Sequence, residues 1–359
     1  MKLSKIFLTI AVVMLIVGRS MGQTALQSGG TWQGETFTNP VFEPILADPT
    51  VIKDPKSGLF YVYGTQDDWG DGMGSRLIPV LKSENLVDWE VVGEAFETKP
   101  AWKERGGLWA PDANYINGKY YLYYAYSVWG DANPGIGVAV ATNPDGPFTD
   151  KGKIFTSEES GVPNSIDPFY WEENGRKYLF WGSYSSAPSQ GTYGVPMAGD
   201  GLSVLDLSRK FKIAAGDFEG VMIHKRKGYY YFFGSKGNCC EGARTKYHVM
   251  VARSESLKGP YLDREGNPIA ERGNGTLFIE GNYVFVGPGH NARLITDDMD
   301  MDWFVYHGID KNQGKVRSGA TRRMLMLDPV VWKDGWPEIR GNTPGTSSQS
   351  APVFEGSKR

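Results

Sequence analysis

The sequence predicts an all-β fold, a five-bladed β-propeller, on three observations. One pattern recurs five times: a short acidic or polar motif opens an apolar strand, and a turn leads to an aromatic strand that ends in a small residue. The turns suit tight hairpins, as at Asn117–Gly118, Asn174–Gly175 and Lys227–Gly228. No long amphipathic helix separates the strands, as an α/β barrel would require.

The five repeats are spaced closely enough for one blade each. They open at Asp48, Asp112, Asp167, Glu219 and His290, so successive starts lie 64, 55, 52 and 71 residues apart. Each interval holds a four-stranded blade with its loops, and a period of this size is typical of propellers. The innermost strand of each blade lines a central channel. We therefore expect the opening residues to converge at one mouth, except that Trp109 replaces Asp112 there.

The chain ends differ from the repeats. Lys2 and Lys5 precede an apolar run of twelve residues, 6–17, and small residues follow it, which predicts a signal peptide at 1–22. That run is too short to span a membrane. The propeller is expected at 31–340, with 331–339 as its last hairpin. The Gly, Pro, Ser and Thr after 341 predict a flexible tail at 341–359.

Composition narrows the partners. The 359 residues carry a formal net charge of -3, so there is no basic excess to meet nucleic-acid phosphates. No other stretch reaches the roughly 20 apolar residues of a membrane span. The sequence therefore predicts an exported protein without a membrane span, in the periplasm or outside the cell, and we expect a monomer.

Two adjacent cysteines, Cys239 and Cys240, are the only ones in the chain. Adjacent cysteines do not make an ordinary disulfide framework. They are free thiols, with burial as small apolar side chains, or a strained bridge between neighbours. The sequence leaves these alternatives open.

Three of the converging residues are carboxylic acids. Hydrolysis of a glycosidic bond needs an acid for the departing oxygen and a carboxylate on the opposite face. We expect Asp48 to be the base that activates water and Glu219 to be the acid. Asp167 is expected to raise the pKa of Glu219 because two close negative charges disfavour double ionisation. One Asp-Pro pair alone is a common turn signal, but three acids at one phase of three repeats indicate a site.

His290 follows Gly287–Pro288–Gly289 at the same phase of the fifth repeat. It could ligate a channel ion, touch substrate or serve as a hydrogen-bonded structural residue. A metal site built from side chains usually needs several ligands, so spacing alone does not decide among these roles.

Several segments resemble glycoside hydrolase family 43, and within it the endo-acting 1,5-α-L-arabinanases. The resemblance covers about 39–339 and rests on segments 86–90 (LVDWE), 109–112 (WAPD), 164–168 (NSIDP), 218–220 (FEG), 238–242 (NCCEG) and 287–291 (GPGHN). It implies cleavage of arabinan, a pectin side chain, with inversion at the anomeric carbon. It implies Asp48 as general base, Asp167 as pKa modulator and Glu219 as general acid.

The resemblance also implies binding residues. A calcium ion in the channel beside His290 would be held otherwise mainly by water. With Trp109 facing the pocket, substrate contacts are expected from Trp109, Gly130, Asn164, Ser165, Ile166, Ser183, Tyr184 and Ser185.

Three departures from the family pattern lie near the cleft. Gly220 follows Glu219 where Ala-Pro is more frequent, Ser165 follows Asn164 where Ala is usual, and the loop Gln66–Arg76 is long. They leave substrate length and endo or exo action open. An exo-acting α-L-arabinofuranosidase or β-xylosidase would use the same acids. A non-catalytic sugar-binding propeller would lack at least one acid, and a sucrose-acting propeller would carry Arg before Asp167, where this chain has Ile166.

Overall fold

The computed structural model describes residues 35–355, so the predicted signal peptide at 1–22 lies outside the described residues. Five antiparallel sheets of four or five strands follow one another along the chain. The prediction of a five-bladed β-propeller is confirmed. Each blade uses strands that are consecutive in the sequence, apart from a small hairpin inserted in blade one and a two-residue strand that pairs beside the main path in blade five.

The strands of the first two blades follow the N-terminal strand β1 (Thr36–Phe37). Blade one contains β2 (Thr50–Lys53), β3 (Phe60–Tyr63), the inserted hairpin β4 (Asp67–Asp68) and β5 (Ser75–Arg76), then β6 (Pro79–Ser83) and β7 (Glu90–Glu94). Blade two contains β8 (Gly107–Ile116), β9 (Lys119–Ser127), β10 (Gly135–Ala141) and β11 (Thr149–Thr156), and is followed by the short helix α1 (Ser157–Ser160).

The remaining blades have the same order. Blade three contains β12 (Phe169–Glu173), β13 (Arg176–Trp181), β14 (Gly191–Pro196) and β15 (Phe211–Ala215). Blade four contains β16 (Glu219–Arg226), β17 (Tyr229–Lys236), β18 (His248–Ser254) and β19 (Thr276–Ile279). Blade five contains β20 (Phe285–Gly289), β21 (Ile295–Thr296), β22 (Asp302–Asp310), β23 (Met324–Lys333) and β24 (Trp336–Glu338), and β25 (Gln349–Ser350) ends the described strands. Single 3₁₀ turns occur at Leu207–Arg209, Gly242–Arg244 and Arg340–Asn342.

The second strand of each blade explains the aromatic runs of the sequence. In β9 every residue after Lys119 is buried, including five tyrosines, and β17 is buried from Tyr230 to Lys236. A strand covered on both faces reads as a continuous apolar run, without the alternation of a half-exposed strand. Most of the aromatic side chains therefore form the core between blades.

A left-handed backbone position lies in the first strand of every blade or within two residues of it. It falls at Asp48 (φ 51°), Ala110 (φ 45°), Asp167 (φ 58°), Gly220 (φ 61°) and His290 (φ 43°). Only glycine adopts this region without steric cost; for other residues it costs about 1–3 kcal/mol and is found mostly at functional sites. The predicted repeat is therefore correct in three blades, two residues late in blade two and one residue early in blade four.

Asp112 does not line the cavity, and Trp109 lines it in its place, as expected. A bulge between Trp109 and Asp112 turns the Asp112 carboxylate away from the mouth. It accepts the Tyr170 amide at 2.6 Å and pairs with Arg293, which also donates to the Tyr170 carbonyl. This buried group joins blades two, three and five.

The segment after Gly341 corrects the prediction of a flexible tail. β25 pairs antiparallel with β1, with Thr36 opposite Ser350. Phe354 is buried and its ring lies 4.6 Å from that of Phe60. The polar composition predicted a flexible segment. The strand that forms there is only two residues long and a single aromatic side chain anchors it, so the sequence shows no strand periodicity. The predicted hairpin at 331–339 is confirmed by β23 and β24.

Within the described part of the chain, no helix is both long enough and apolar enough to cross a membrane.

Candidate active site

The residues at the openings of the blades converge on one cavity of about 1210 Å³. Asp48, Asp167, Glu219 and His290 all line it, and blade two contributes Trp109. The convergence predicted from the repeat is therefore observed, although these residues are up to 242 positions apart in the sequence. The propeller brings them together because each lies at or next to the left-handed position of its blade.

Asp48 is buried and held by several donors. Arg323 Nη1 lies 2.8 Å from Asp48 Oδ1 and 2.9 Å from Oδ2, and Thr65 Oγ1 donates to Oδ2 at 2.6 Å. The Asp48 amide donates to His307 Nδ1 at 3.1 Å. His290 Nδ1 lies 3.4 Å from Oδ1. The carboxylate therefore has a fixed position with positive charge beside it.

These contacts determine the charge of Asp48. Burial alone would raise its pKa, but Arg323, then His290 and His307, more than offset burial and hold the pKa well below the ordinary value. Burial also lowers the pKa of His307 to about 4, so His307 is neutral at pH 7. Asp48 is consequently ionised throughout the neutral range.

Asp167 and Glu219 form a buried pair with the opposite tendency. Burial, then the nearby Glu219 and Asp48 charges, raises the pKa of Asp167 well above its usual range. Burial also raises the pKa of Glu219, although hydrogen bonds from Tyr247 and Ser183 oppose this. The pair therefore retains a proton at a pH where an isolated carboxylate has lost it. Burial is the largest cause for both acids.

Glu219 is held at both oxygens. Tyr247 donates to Oε1 at 2.6 Å, and Ser183 donates to Oε2 at 2.8 Å. Asp167 Oδ2 accepts the amide of Gly220 at 3.1 Å, which ties the turn after Glu219 to the neighbouring acid. The two acids are thus connected through the backbone as well as through charge.

The predicted metal ligand, His290, is oriented by its neighbours. Its amide donates to Ser235 Oγ at 2.9 Å, and its ring faces Asp48. Among residues 35–355, no group of three or more His, Cys, Asp or Glu side chains is placed to hold a metal ion. The adjacent Asn291 has a buried side-chain oxygen without a hydrogen-bond partner, and an amide oxygen is a ligand type that calcium accepts.

Most of the predicted substrate contacts line the cavity. They are Trp109, Gly130, Asn164, Ile166, Ser183, Tyr184 and Ser185. Ser165 is the exception and corrects the prediction, since it is 0% exposed. Its hydroxyl lies 2.9 Å from that of Ser160 and accepts from Trp181 Nε1 at 3.0 Å. Ser165 therefore braces the loop behind its lining neighbours.

Several residues of the site carry little signal in the sequence that predicts their place there. Arg323, Thr65, Asp67 and Trp129 line the cavity, whereas His307 and Tyr247 lie behind it. None of them belongs to a repeated motif. Trp129 offers the clearest available signal, an aromatic residue in the polar turn before a run of Gly, Asp and Asn. It is 76% exposed, and its ring lies 5.8 Å from that of Trp109.

Two features at the rim are settled by the structure. Cys239 and Cys240 are joined in a disulfide that lines the cavity, which decides among the alternatives left open by the sequence. The long loop Gln66–Arg76 folds as the β4–β5 hairpin against blade five, where Ser318 Oγ donates to the Asp68 carbonyl at 2.9 Å. Gln66 and Asp67, at the base of this hairpin, line the cavity.

Asp67, on that hairpin, shares a partner with Asp48. Arg323 Nη2 lies 3.3 Å from Asp67 Oδ2. Burial raises the pKa of Asp67 to about 6, against the opposing effect of Arg323. The Arg323 guanidinium thus links Asp67 of the β4–β5 hairpin to the Asp48 carboxylate. The whole arrangement, an ionised carboxylate and a protonated acid pair in one cavity, suits acid–base hydrolysis.

Comparisons with known proteins agree with this geometry. The profile of Glycosyl hydrolases family 43 matches residues 37–337. The chain is 32% identical over 313 residues to the extracellular endo-alpha-(1->5)-L-arabinanase 1 of Bacillus subtilis (strain 168), which covers 82% of this chain and 87% of that protein. It is 30% identical over 321 residues to the extracellular exo-alpha-(1->5)-L-arabinofuranosidase ArbA of Cellvibrio japonicus (strain Ueda107), covering 81% and 85%.

Solved structures have the same architecture. The alpha-L-arabinanase of Cellvibrio cellulosa complexed with arabinohexaose superposes with a TM-score of 0.69 at 27% identity, covering 83% of this chain and 96% of that one. The GH43 endo-arabinanase from Bacillus licheniformis superposes with a TM-score of 0.69 at 28% identity, covering 82% and 98%.

Proposed function

Because the chain belongs to glycosyl hydrolases family 43, we propose that this glycoside hydrolase cleaves α-1,5-linked arabinan, a pectin side chain, with inversion at the anomeric carbon. The observation that carries the proposal is the contrast within one cavity between ionised Asp48 and the proton-retaining pair of Asp167 and Glu219. An inverting hydrolase needs this division between base and acid.

Asp48 acts as the general base in this proposal. It takes a proton from a water molecule as the water oxygen attacks the anomeric carbon. Arg323 and Thr65 keep the carboxylate ionised and aimed. Inversion follows because the bond to water forms on the face opposite to the bond that breaks.

Glu219 acts as the general acid. It gives its proton to the glycosidic oxygen as the bond from that oxygen to the anomeric carbon breaks. Asp167 is the pKa modulator: its carboxyl, coupled to Glu219, helps the pair to hold the proton until it is used. After turnover, the proton accepted by Asp48 exchanges with solvent and Glu219 is reprotonated.

Endo action is the first candidate for the mode of cleavage, since the cavity is large and the relatives from Bacillus subtilis are named endo-arabinanases. Exo action as an α-L-arabinofuranosidase is the second, because one relative carries that name and the β4–β5 hairpin reaches the cavity at Asp67. Exo action as a β-xylosidase uses the same acids but has no such support among these curated relatives.

The test is product size. Purified protein is incubated with linear 1,5-α-arabinan and, separately, with xylan, and early products are separated by length. Endo action gives arabino-oligosaccharides first, and exo action gives arabinose alone. Activity only on xylan would contradict the substrate assignment, and inactivity on both would favour a sugar-binding propeller. Proton NMR of the first product reports its anomeric configuration and tests inversion.

We also propose a calcium ion beside His290, held mainly by water. The unpartnered Asn291 oxygen next to His290 supports a hydrated cation there, and the lack of a multidentate cage within residues 35–355 limits protein ligands to few. Such an ion would supply positive charge near Asp48.

Export is proposed for this chain on the predicted signal peptide and the extracellular naming of its relatives.

A further inference from the structure

We infer that Tyr247 is a positioning residue for Glu219, and that it determines which oxygen of this acid carries the proton. The inference rests on the proposed function, in which Glu219 is the general acid. Tyr247 immediately precedes β18, is 1% exposed, and directs its hydroxyl to Glu219 Oε1 at 2.6 Å. It therefore acts on the acid from inside the protein.

The two oxygens of Glu219 have different surroundings. Oε1 accepts from the buried Tyr247, whereas Oε2 contacts Ser183, a residue of the cavity wall. Burial and the nearby Glu219 charge raise the pKa of Tyr247 well above its usual value, so its phenol remains a donor. Because Oε1 is occupied as an acceptor, the proton of Glu219 is placed on Oε2, on the side of the cavity. A hydroxyl both donates and accepts, so Ser183 can contact Oε2 in either charge state.

The packing around Tyr247 explains the glycines of the motif Gly287–Pro288–Gly289. A Cβ atom on Gly289 would overlap the Tyr247 ring, and one on Gly287 would overlap the Thr245 side chain. Thr245 Oγ1 in turn accepts the Tyr247 amide at 3.1 Å. The two glycines are needed where the ring and its support approach the backbone closely.

His307 packs against the Tyr247 ring and connects it to Asp48. Its ring stacks on Tyr247 with centroids 5.6 Å apart and planes 4° from parallel. His307 is 0% exposed and accepts the Asp48 amide at 3.1 Å. A contiguous series of contacts therefore runs from Asp48 through His307 and Tyr247 to Glu219, which fixes the separation of base and acid from behind the cavity.

The test compares leaving groups in Tyr247→Phe, which keeps the stacked ring and removes the hydroxyl. A linear arabino-oligosaccharide has an alkoxide leaving group that must be protonated. A 4-nitrophenyl arabino-oligoside releases nitrophenolate without protonation. We expect kcat on the oligosaccharide to fall by about ten- to a hundredfold, part of the roughly 10²–10⁴-fold that an acid contributes. The KM should stay within about twofold, and kcat on the aryl substrate within about threefold.

Tyr261→Phe is the matched control. Tyr261 is also 1% exposed in blade four and donates to the Leu257 carbonyl at 3.0 Å, away from the acid. It should leave both rates unchanged. Equal losses on both substrates for Tyr247→Phe, or no loss, would overturn the inference. If Tyr247→Phe does not fold, Thr245→Val is used, since it removes the acceptor of the Tyr247 amide. This variant should show the same selectivity between the two substrates more weakly. The absence of that selectivity in Thr245→Val would also overturn the inference.

Glu219→Gln separates this inference from the proposed function. Its losses should be large on the oligosaccharide and small on the aryl substrate. If Glu219→Gln shows this selectivity and Tyr247→Phe does not, only the positioning role fails. If Glu219→Gln slows both substrates equally, the acid assignment fails and the role of Tyr247 fails with it.

Discussion

One nitrogen of Arg323 contacts both carboxylate oxygens of Asp48, at 2.8 and 2.9 Å. The pair lies between the end of the long blade-five loop and the turn into blade one, 275 residues apart in the chain. Both side chains are largely buried, so the two charges compensate each other more than solvent does. This contact keeps the Asp48 carboxylate ionised, because Arg323 lowers its pKa.

Arg323→Met should therefore change the pH dependence of hydrolysis. The pKa of Asp48 is now held low against burial, and a base is lost as pH falls through its pKa. Without the guanidinium, this pKa rises, so the acidic limb of kcat/KM should move to higher pH, by about 1–3 units. Rates from pH 4 to 9 measure the shift.

Arg322→Met provides the control for this change. Arg322 is the adjacent residue, is equally buried, and pairs with Glu43 and Asp310 instead of Asp48. Its acidic limb should stay in place. An unmoved limb in Arg323→Met would contradict the role given to Arg323.

Thermal unfolding should show a loss of about 3–5 kcal/mol in the free energy of unfolding for Arg323→Met, since one charge of a buried pair is left alone.

Asp48→Asn and Glu219→Gln should each fold and lose about 10²–10⁴-fold in kcat on linear arabinan, the usual contribution of a general base or acid. Asp112→Asn serves as a comparison, because Asp112 is a buried acid of similar depth that points away from the mouth. It should cost stability more than turnover. Near-normal kcat in either of the first two variants would refute the assignment of that residue.

Trp129→Ala should weaken substrate binding and leave the chemical step alone. The ring lies at the cavity, largely exposed, and offers a flat apolar face to a sugar. We expect KM to rise by about five- to tenfold, equivalent to about 1–1.4 kcal/mol, with kcat unchanged. Tyr283→Ala is the control, because Tyr283 is 78% exposed outside the cavity lining. A fall in kcat with constant KM would argue against a binding role.

Prolonged chelation should lower thermal stability or activity if calcium occupies the position beside His290. Added Ca²⁺ should restore the loss, and His290→Ala should abolish the response to added Ca²⁺. Differential scanning calorimetry and initial rates, with and without chelator, measure both effects. Unchanged values after exhaustive chelation would count against the ion.

Two of the acids could be predicted from the sequence, whereas the residues that hold the site in place could not. Asp48 and Asp167 were predictable because each begins an Asp-Pro turn at the same phase of a repeat. Arg323 and His307 were not, since they come from a loop end and a second strand with no recurring motif. Their roles depend on which blades become neighbours, which local pattern does not encode.

The phase errors have a similar origin. The sequence repeat falls at Asp112, two residues beyond the left-handed Ala110, because a bulge in β8 separates that position from the regular strand. Ser165 lies behind the cavity, contrary to expectation, because adjacent loop residues alternate between facing the cavity and facing the core. Bulges and loop direction are tertiary properties, and the sequence signals only that a turn is present.

The pairing of β1 with β25 makes the first and last described strands immediate neighbours. The described strands of each blade come from one continuous stretch of the chain, and residues 41–46 hydrogen-bond to residues 323–325 of blade five without adding a strand to its sheet. The order of blades around the ring therefore has no obligatory starting point. A circular permutant, with a short linker joining the two old ends and new ends cut between β7 and β8, should thus assemble the same cavity. The position of the chain ends would then matter for closure of the ring, and hydrolysis would be indifferent to it.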